Sequence, residues 1–160
     1  MMTKVFDVLM VEDDREQADL ITDTARLCKS EIRWAIAEDG VTALERLREE
    51  GRFCRAGRPD LVLLDLHLPR LDGVDVLRAI KADPRLRSLP VIIMSHSREK
   101  ADIDAAYELG ANCYIAKPGS FEGLCSLVRF VEAFLALPQA TERRVEPTTA
   151  PSNPRAPTLN

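Results

Sequence analysis

Six side chains in this sequence have the types and spacing to do chemistry together. Glu12, Asp13 and Asp14 follow the apolar run Val5–Val11, and Asp65 follows LVLL at 61–64. Ser95 ends VIIMS, and Lys117 comes directly after the run Cys113–Ala116. Crowded carboxylates repel one another and resist full ionisation. A hard dication relieves that repulsion, and Mg2+ needs only one or two carboxylates besides water and phosphate oxygens. A lysine ammonium holds a phosphoryl oxygen as a point charge, and a serine hydroxyl can hydrogen-bond another. An aspartate alone at the centre of such a site is placed to act as a nucleophile and become an aspartyl phosphate. The set therefore points to phosphoryl acceptance, with the developing charge held by metal and lysine.

These residues share one site only if the chain brings the ends of its apolar runs together. Over residues 4–137 the runs Val5–Val11, Ile32–Ala37, Leu61–Leu64, Val91–Met94 and Cys113–Ala116 read as strands. Each precedes a stretch of helical periodicity: from Asp14 to about Cys28, Gly40–Glu50, Val74–Ala82, Glu99–Leu109 and Ser120 to about Leu137. Asp83-Pro84 and Gly110 supply stop signals. Five strands alternating with five helices predict an α/β fold whose parallel sheet is covered on both faces. Unbroken LVLL and VIIM agree, because central parallel strands are buried on both sides. In such sheets ligands bind outside the carboxyl ends of the strands, where these acids, hydroxyl and lysine fall.

Composition narrows the class. The 160 residues carry 22 Lys+Arg against 26 Asp+Glu, a net charge of -4, which disfavours a nucleic-acid surface acting through a strong positive field. The apolar runs are too short to span a membrane, and the start turns acidic too early for a signal peptide. Cys28, Cys54, Cys113 and Cys125 show no metal-ligand spacing and read as reduced thiols of a cytoplasmic protein. Five of the ten prolines lie from Pro138 onward, so residues 138–160 read as a flexible or extended tail after a domain at 4–137.

VEDD at 11–14, LLDLHLPRLDG at 63–73, VIIMS at 91–95 and YIAKP at 114–118 together resemble the receiver domain of two-component response regulators. The resemblance implies a flavodoxin-like, doubly wound (βα)5 fold with strand order 2-1-3-4-5. It implies Asp65 as phosphoacceptor and Mg2+ held by Glu12, Asp13, Asp65 and the backbone carbonyl of His67. Ser95 would be the switch hydroxyl, Lys117 the phosphate-binding lysine and Tyr114 the aromatic switch, with Lys117-Pro118 a cis peptide. A receiver of this kind supports its own phosphorylation and is not otherwise an enzyme. The loop EEGRFCRAGRPD and the stretch IKADPRLRSLPVIIMSHS are further similar to single-domain regulators that accompany phytochrome-type histidine kinases. The implied partner is a sensor histidine kinase. A histidine phosphotransfer protein in a phosphorelay is the alternative recipient, and the residues do not separate the two.

The last helix carries two apolar stripes. Leu124, Val128, Val131 and Leu135 form one buried line, and Leu127, Phe130 and Phe134 form a second. The second predicts a homodimer through the face made by helix 4, strand 5 and helix 5. Two other readings, one an enzyme and one a nucleotide-binding domain, fit less well. A haloacid-dehalogenase-like phosphatase wants a second aspartate two positions after the nucleophile, where His67 stands. A dinucleotide-binding turn needs glycines where this chain has acids, which would repel phosphate.

Overall fold

The computed structural model describes residues 4–137. Five strands alternate with five helices: β1 Phe6–Val11, α1 Arg15–Leu27, β2 Ile32–Ala37, α2 Gly40–Leu47, β3 Leu61–Leu64, α3 Gly73–Ala82, β4 Val91–Ser95, α4 Lys100–Glu108, β5 Cys113–Ala116 and α5 Phe121–Ala136. The strands form one parallel sheet in the order β2-β1-β3-β4-β5, the order that the receiver resemblance implies. The proposed tail, 138–160, lies outside the described residues.

Side chains alternate along each strand and so divide two cores between the sheet faces. Leu9, Val11, Val62, Leu64 and Ile93 face α2, α3 and α4, meeting Leu44, Leu77, Ile80 and Ala106. Val8, Met10, Leu63, Ile92 and Met94 face α1 and α5, meeting Ala18, Ile21, Leu127, Val131 and Leu135. Every residue of β3 and β4 is buried, as expected of central parallel strands. β2 is an edge strand with one partner. It carries the single tryptophan, Trp34, half-buried against the α1–α5 core with its Nε1 enclosed and lacking a hydrogen-bond partner.

Short polar side chains set where the helices begin. Asp14 accepts hydrogen bonds from the Glu16 and Gln17 amides, Asp39 from Thr42 and Ser120 from Gly123. Each satisfies a first-turn donor that the helix itself cannot. Asp83 turns extended before Pro84, ending α3, and Gly110 takes φ +99° after α4. The second helix is shorter than the sequence predicts. It ends at Leu47, Glu49 adopts φ 55°, and the chain makes a separate 3-10 turn at Gly51–Phe53.

Candidate functional site

Parallel pairing carries four strand ends to one edge of the sheet. Val11 pairs with Ala37 and with Leu64, so the residues that follow, Glu12 and Asp65, leave the sheet side by side. The Glu12 amide donates to the Ala37 carbonyl at 3.0 Å and the Asp65 amide to the Val11 carbonyl at 3.0 Å. On the other flank the Lys117 amide donates to the Ser95 carbonyl at 2.9 Å. Gly73 lets the turn after β3 fold tightly over this edge, since a Cβ there would land on the Asp65 carbonyl and on Leu66.

Lys117 binds the site together from β5. Its Nζ lies 2.8 Å from Asp65 Oδ2 and 2.9 Å from Glu12 Oε2, with all three side chains nearly excluded from solvent. Burial works against the lysine's charge, but the hydrogen bonds it donates to Asp65 and Glu12 outweigh it and hold the ammonium above its ordinary value. Glu12 is the acid that gives way. Burial pushes its carboxyl up to about 7, helped by the neighbouring Asp65 charge and opposed by Lys117. A carboxylate that is costly to ionise where it stands is one that an added cation would stabilise.

The donor set fits a divalent metal. Carboxylate oxygens of Glu12, Asp13 and Asp65 lie within 4.8 Å of one another, the first and last buried and Asp13 exposed. Glu12 Oε2 is buried and has no hydrogen bond of its own, although it pairs electrostatically with Lys117. An all-oxygen cluster open on one side suits a hard dication that keeps waters. The His67 amide donates to Asp65 Oδ1 at 3.1 Å, which orients the carboxylate, while the His67 side chain is exposed.

A second network leads away from Ser95, which is fully buried. Its Oγ accepts from the Ser97 amide at 3.1 Å. The Tyr114 hydroxyl donates to the Ser97 carbonyl at 2.8 Å, and the Ser97 hydroxyl bonds Asp102 on α4. The Tyr114 amide donates to the Tyr107 hydroxyl at 3.1 Å. Sequence reasoning found Ser95 and Tyr114 but missed Asp102 and Tyr107. Both sit on α4, and no spacing rule ties a helix side chain to a loop hydroxyl or to a strand amide.

Residues 8–129 match the response regulator receiver domain family. The chain belongs to that family. The receiver is 35% identical over 127 residues to the response regulator Rcp1 of Synechocystis sp., covering 79% of this chain and 86% of that protein. It is similar to the crystal structure of the phosphorylated cyanobacterial phytochrome response regulator RcpA, with TM-score 0.77, 37% identity and coverage of 82% and 94%. The Mn2+-bound form of Rcp1 gives TM-score 0.74 and 34% identity, covering 81% of this receiver and 93% of that chain.

Two expectations are corrected. Leu127 does not belong to an outer stripe: it is 3% exposed and packs in the α1–α5 core. Four residues advance a helix by about 40°, so Leu127 lies next to Val131 on a buried sector wider than one line. Phe130 stays 40% exposed, whereas Phe134 is half-buried against the α1–α5 core at the edge of this sector, the two rings 6.4 Å apart. Lys117-Pro118 is not cis; the described residues contain no cis peptide, and the turn into Ser120 is made with the ordinary trans bond. No described helix is long and apolar enough to cross a membrane.

Proposed function

We propose that this receiver accepts a phosphoryl group onto Asp65, with Mg2+, from a sensor histidine kinase of the phytochrome type, and that acceptance switches a protein-interaction face. The observation that carries the reading is the bond from Lys117 Nζ to Asp65 Oδ2 inside a cluster of three acids. In the reaction an Asp65 oxygen forms the new P–O bond while the donor's P–N bond breaks and its imidazole leaves. Lys117 is within reach of the transferred oxygens once it lets go of the carboxylate. Glu12, Asp13 and Asp65, with the His67 carbonyl, would hold the metal, which would supply positive charge against the phosphoryl group. Ser95 is the switch hydroxyl, and its draw toward the phosphoryl group pulls on Ser97, the residue that Tyr114 holds. Tyr114 then changes position and biases α4 and β5, a population shift. The phytochrome assignment rests on the likeness to Rcp1 and RcpA.

The same reading takes α4, β5 and α5 as a homodimer face centred on Phe130 and Phe134. Beside Phe130 an apolar hollow of about 400 Å³, lined by Ile115, Pro118 and Gly123 among others, gives that face a shape to fill.

Incubation with Mg2+ and a small phosphodonor tests the chemistry. A phosphoryl-sized mass gain that disappears in Asp65→Asn is expected. Equal gain in the variant would move the acceptor elsewhere, and no gain in either would leave a receiver closed to phosphate.

A further inference from the structure

All four described cysteines are free thiols, and two of them, distant in the chain, meet. Cys28 caps the C-terminus of α1, where its amide donates to the Thr24 carbonyl at 2.9 Å. Cys125 lies in the second turn of α5. Their Sγ atoms are 3.7 Å apart across the seam between the two helices, although 97 positions separate them. Both are half-buried. Cys113, on β5, packs against the α1–α5 core, and Cys54 stands exposed beyond the 3-10 turn.

We propose that Cys28 and Cys125 are a site of reversible oxidation, forming an intramolecular disulfide when the protein meets a peroxide. The sulfurs already touch, so closure to about 2.05 Å needs side-chain rotation and a small approach of the helices rather than refolding. In the first step one thiolate attacks a peroxide oxygen, giving a sulfenic acid and releasing hydroxide, which takes up the thiol's proton as water. The second thiol then attacks the sulfenic sulfur, its proton leaving with the hydroxyl as a second water. Two thiols and one hydrogen peroxide thus become one disulfide and two waters, the two electrons passing to the peroxide.

The surroundings make this a slow reaction. Partial burial and the adjoining Cys28 thiol push the Cys125 thiol above its ordinary value. The pair therefore responds to sustained oxidant, unlike the low-pKa thiols that react with traces. Once formed, the bond ties α1, which follows the Glu12–Asp13 pair, to α5, which follows Lys117-Pro118. It closes a long loop, the case in which a cross-link restricts the unfolded chain most. This site is independent of whether Asp65 takes phosphate.

The test treats the full chain with hydrogen peroxide, blocks remaining thiols with an alkylating reagent, and maps peptides without reduction. The expected result is a loss of two hydrogens from the intact mass and one linked pair of peptides holding Cys28 and Cys125. A thiol reductant should restore both free peptides, and Cys28→Ser should give no intramolecular link. Alkylation of both cysteines in the oxidised sample would overturn the proposal. So would oxygen addition at either sulfur without a link, or a link through Cys54 or Cys113.

Discussion

Lys117 is the residue on which the site's charge balance turns. Its ammonium is the cation that both Glu12 and Asp65 contact, in a place where the side chains are at most 5% exposed. Removing one partner of a buried ion pair costs about 3–5 kcal/mol, because the other charges stay buried and unpaired. Lys117→Met should therefore lower stability by about 3 kcal/mol in urea unfolding without divalent cation. A loss under about 0.5 kcal/mol would show that water already screens the acids, as it does for surface pairs. The three acids make the opposite test. Mg2+ should raise the thermal midpoint of the unmodified protein, since a cation that binds only the folded state stabilises it by mass action. Asp13→Asn should weaken that cation binding about tenfold, a difference of about 1.4 kcal/mol, read by titration calorimetry. Equal midpoints with and without Mg2+ would remove the metal from the reading.

At the scale of single elements, Asp39 shows how a loop residue fixes a helix. It caps α2 through the Thr42 amide at 2.7 Å and receives Arg70 from the turn after β3. Burial opposes its ionisation, but the Thr42 bonds and Arg70 outweigh that and hold the carboxyl below its ordinary value. A depressed carboxyl stabilises the fold above its unfolded pKa and loses that contribution as pH falls through the folded one. Asp39→Ala should cost about 1 kcal/mol at pH 7 and progressively less as acid titrates the aspartate below about pH 4. A cost that stays constant through that range would mean the carboxylate charge plays no part.

Elements of this kind were legible because each strand runs into a polar residue and four of the five helices begin on a short one, α4 with its Glu99 being the exception. Glu12, Asp65, Ser95 and Lys117 could be grouped from chain order alone, once a parallel sheet was inferred. The 3-10 turn after α2 was not legible, because Glu49 adopts a left-handed backbone that its side chain does not advertise. Leu127 was misplaced because a leucine beside two phenylalanines reads equally well as core or as surface. The reach of Gly73 beneath Asp65 is likewise a matter of backbone proximity, invisible to a residue pattern.

For the molecule as a whole, the two sides of the sheet differ in what they leave uncovered. Phe130 stands 40% exposed on α5, beside a hollow with an apolar lining. If that face joins two copies, Phe130→Glu should weaken association by about 2–4 kcal/mol, the usual range for a buried aromatic anchor. Light scattering should then report monomers at concentrations where the unmodified chain is dimeric. Dimers of unchanged affinity would place the interface on another face. The variant should fold normally, since Leu127, Val128, Val131 and Leu135 keep the inner side of α5 in place.

Trp34 gives the molecule an uneven optical sensitivity. It is the sole indole, set on the edge strand β2, with β1 standing between it and the strand that ends at Asp65. Its emission is governed by how well α1 and the sheet edge shield the ring from water. Denaturation exposes it and shifts the emission to longer wavelength. If phosphoryl transfer at Asp65 works through β4, β5 and α4 as proposed, it acts on the flank of the sheet away from β2. On that reading intrinsic fluorescence of this receiver should report folding far more strongly than signalling.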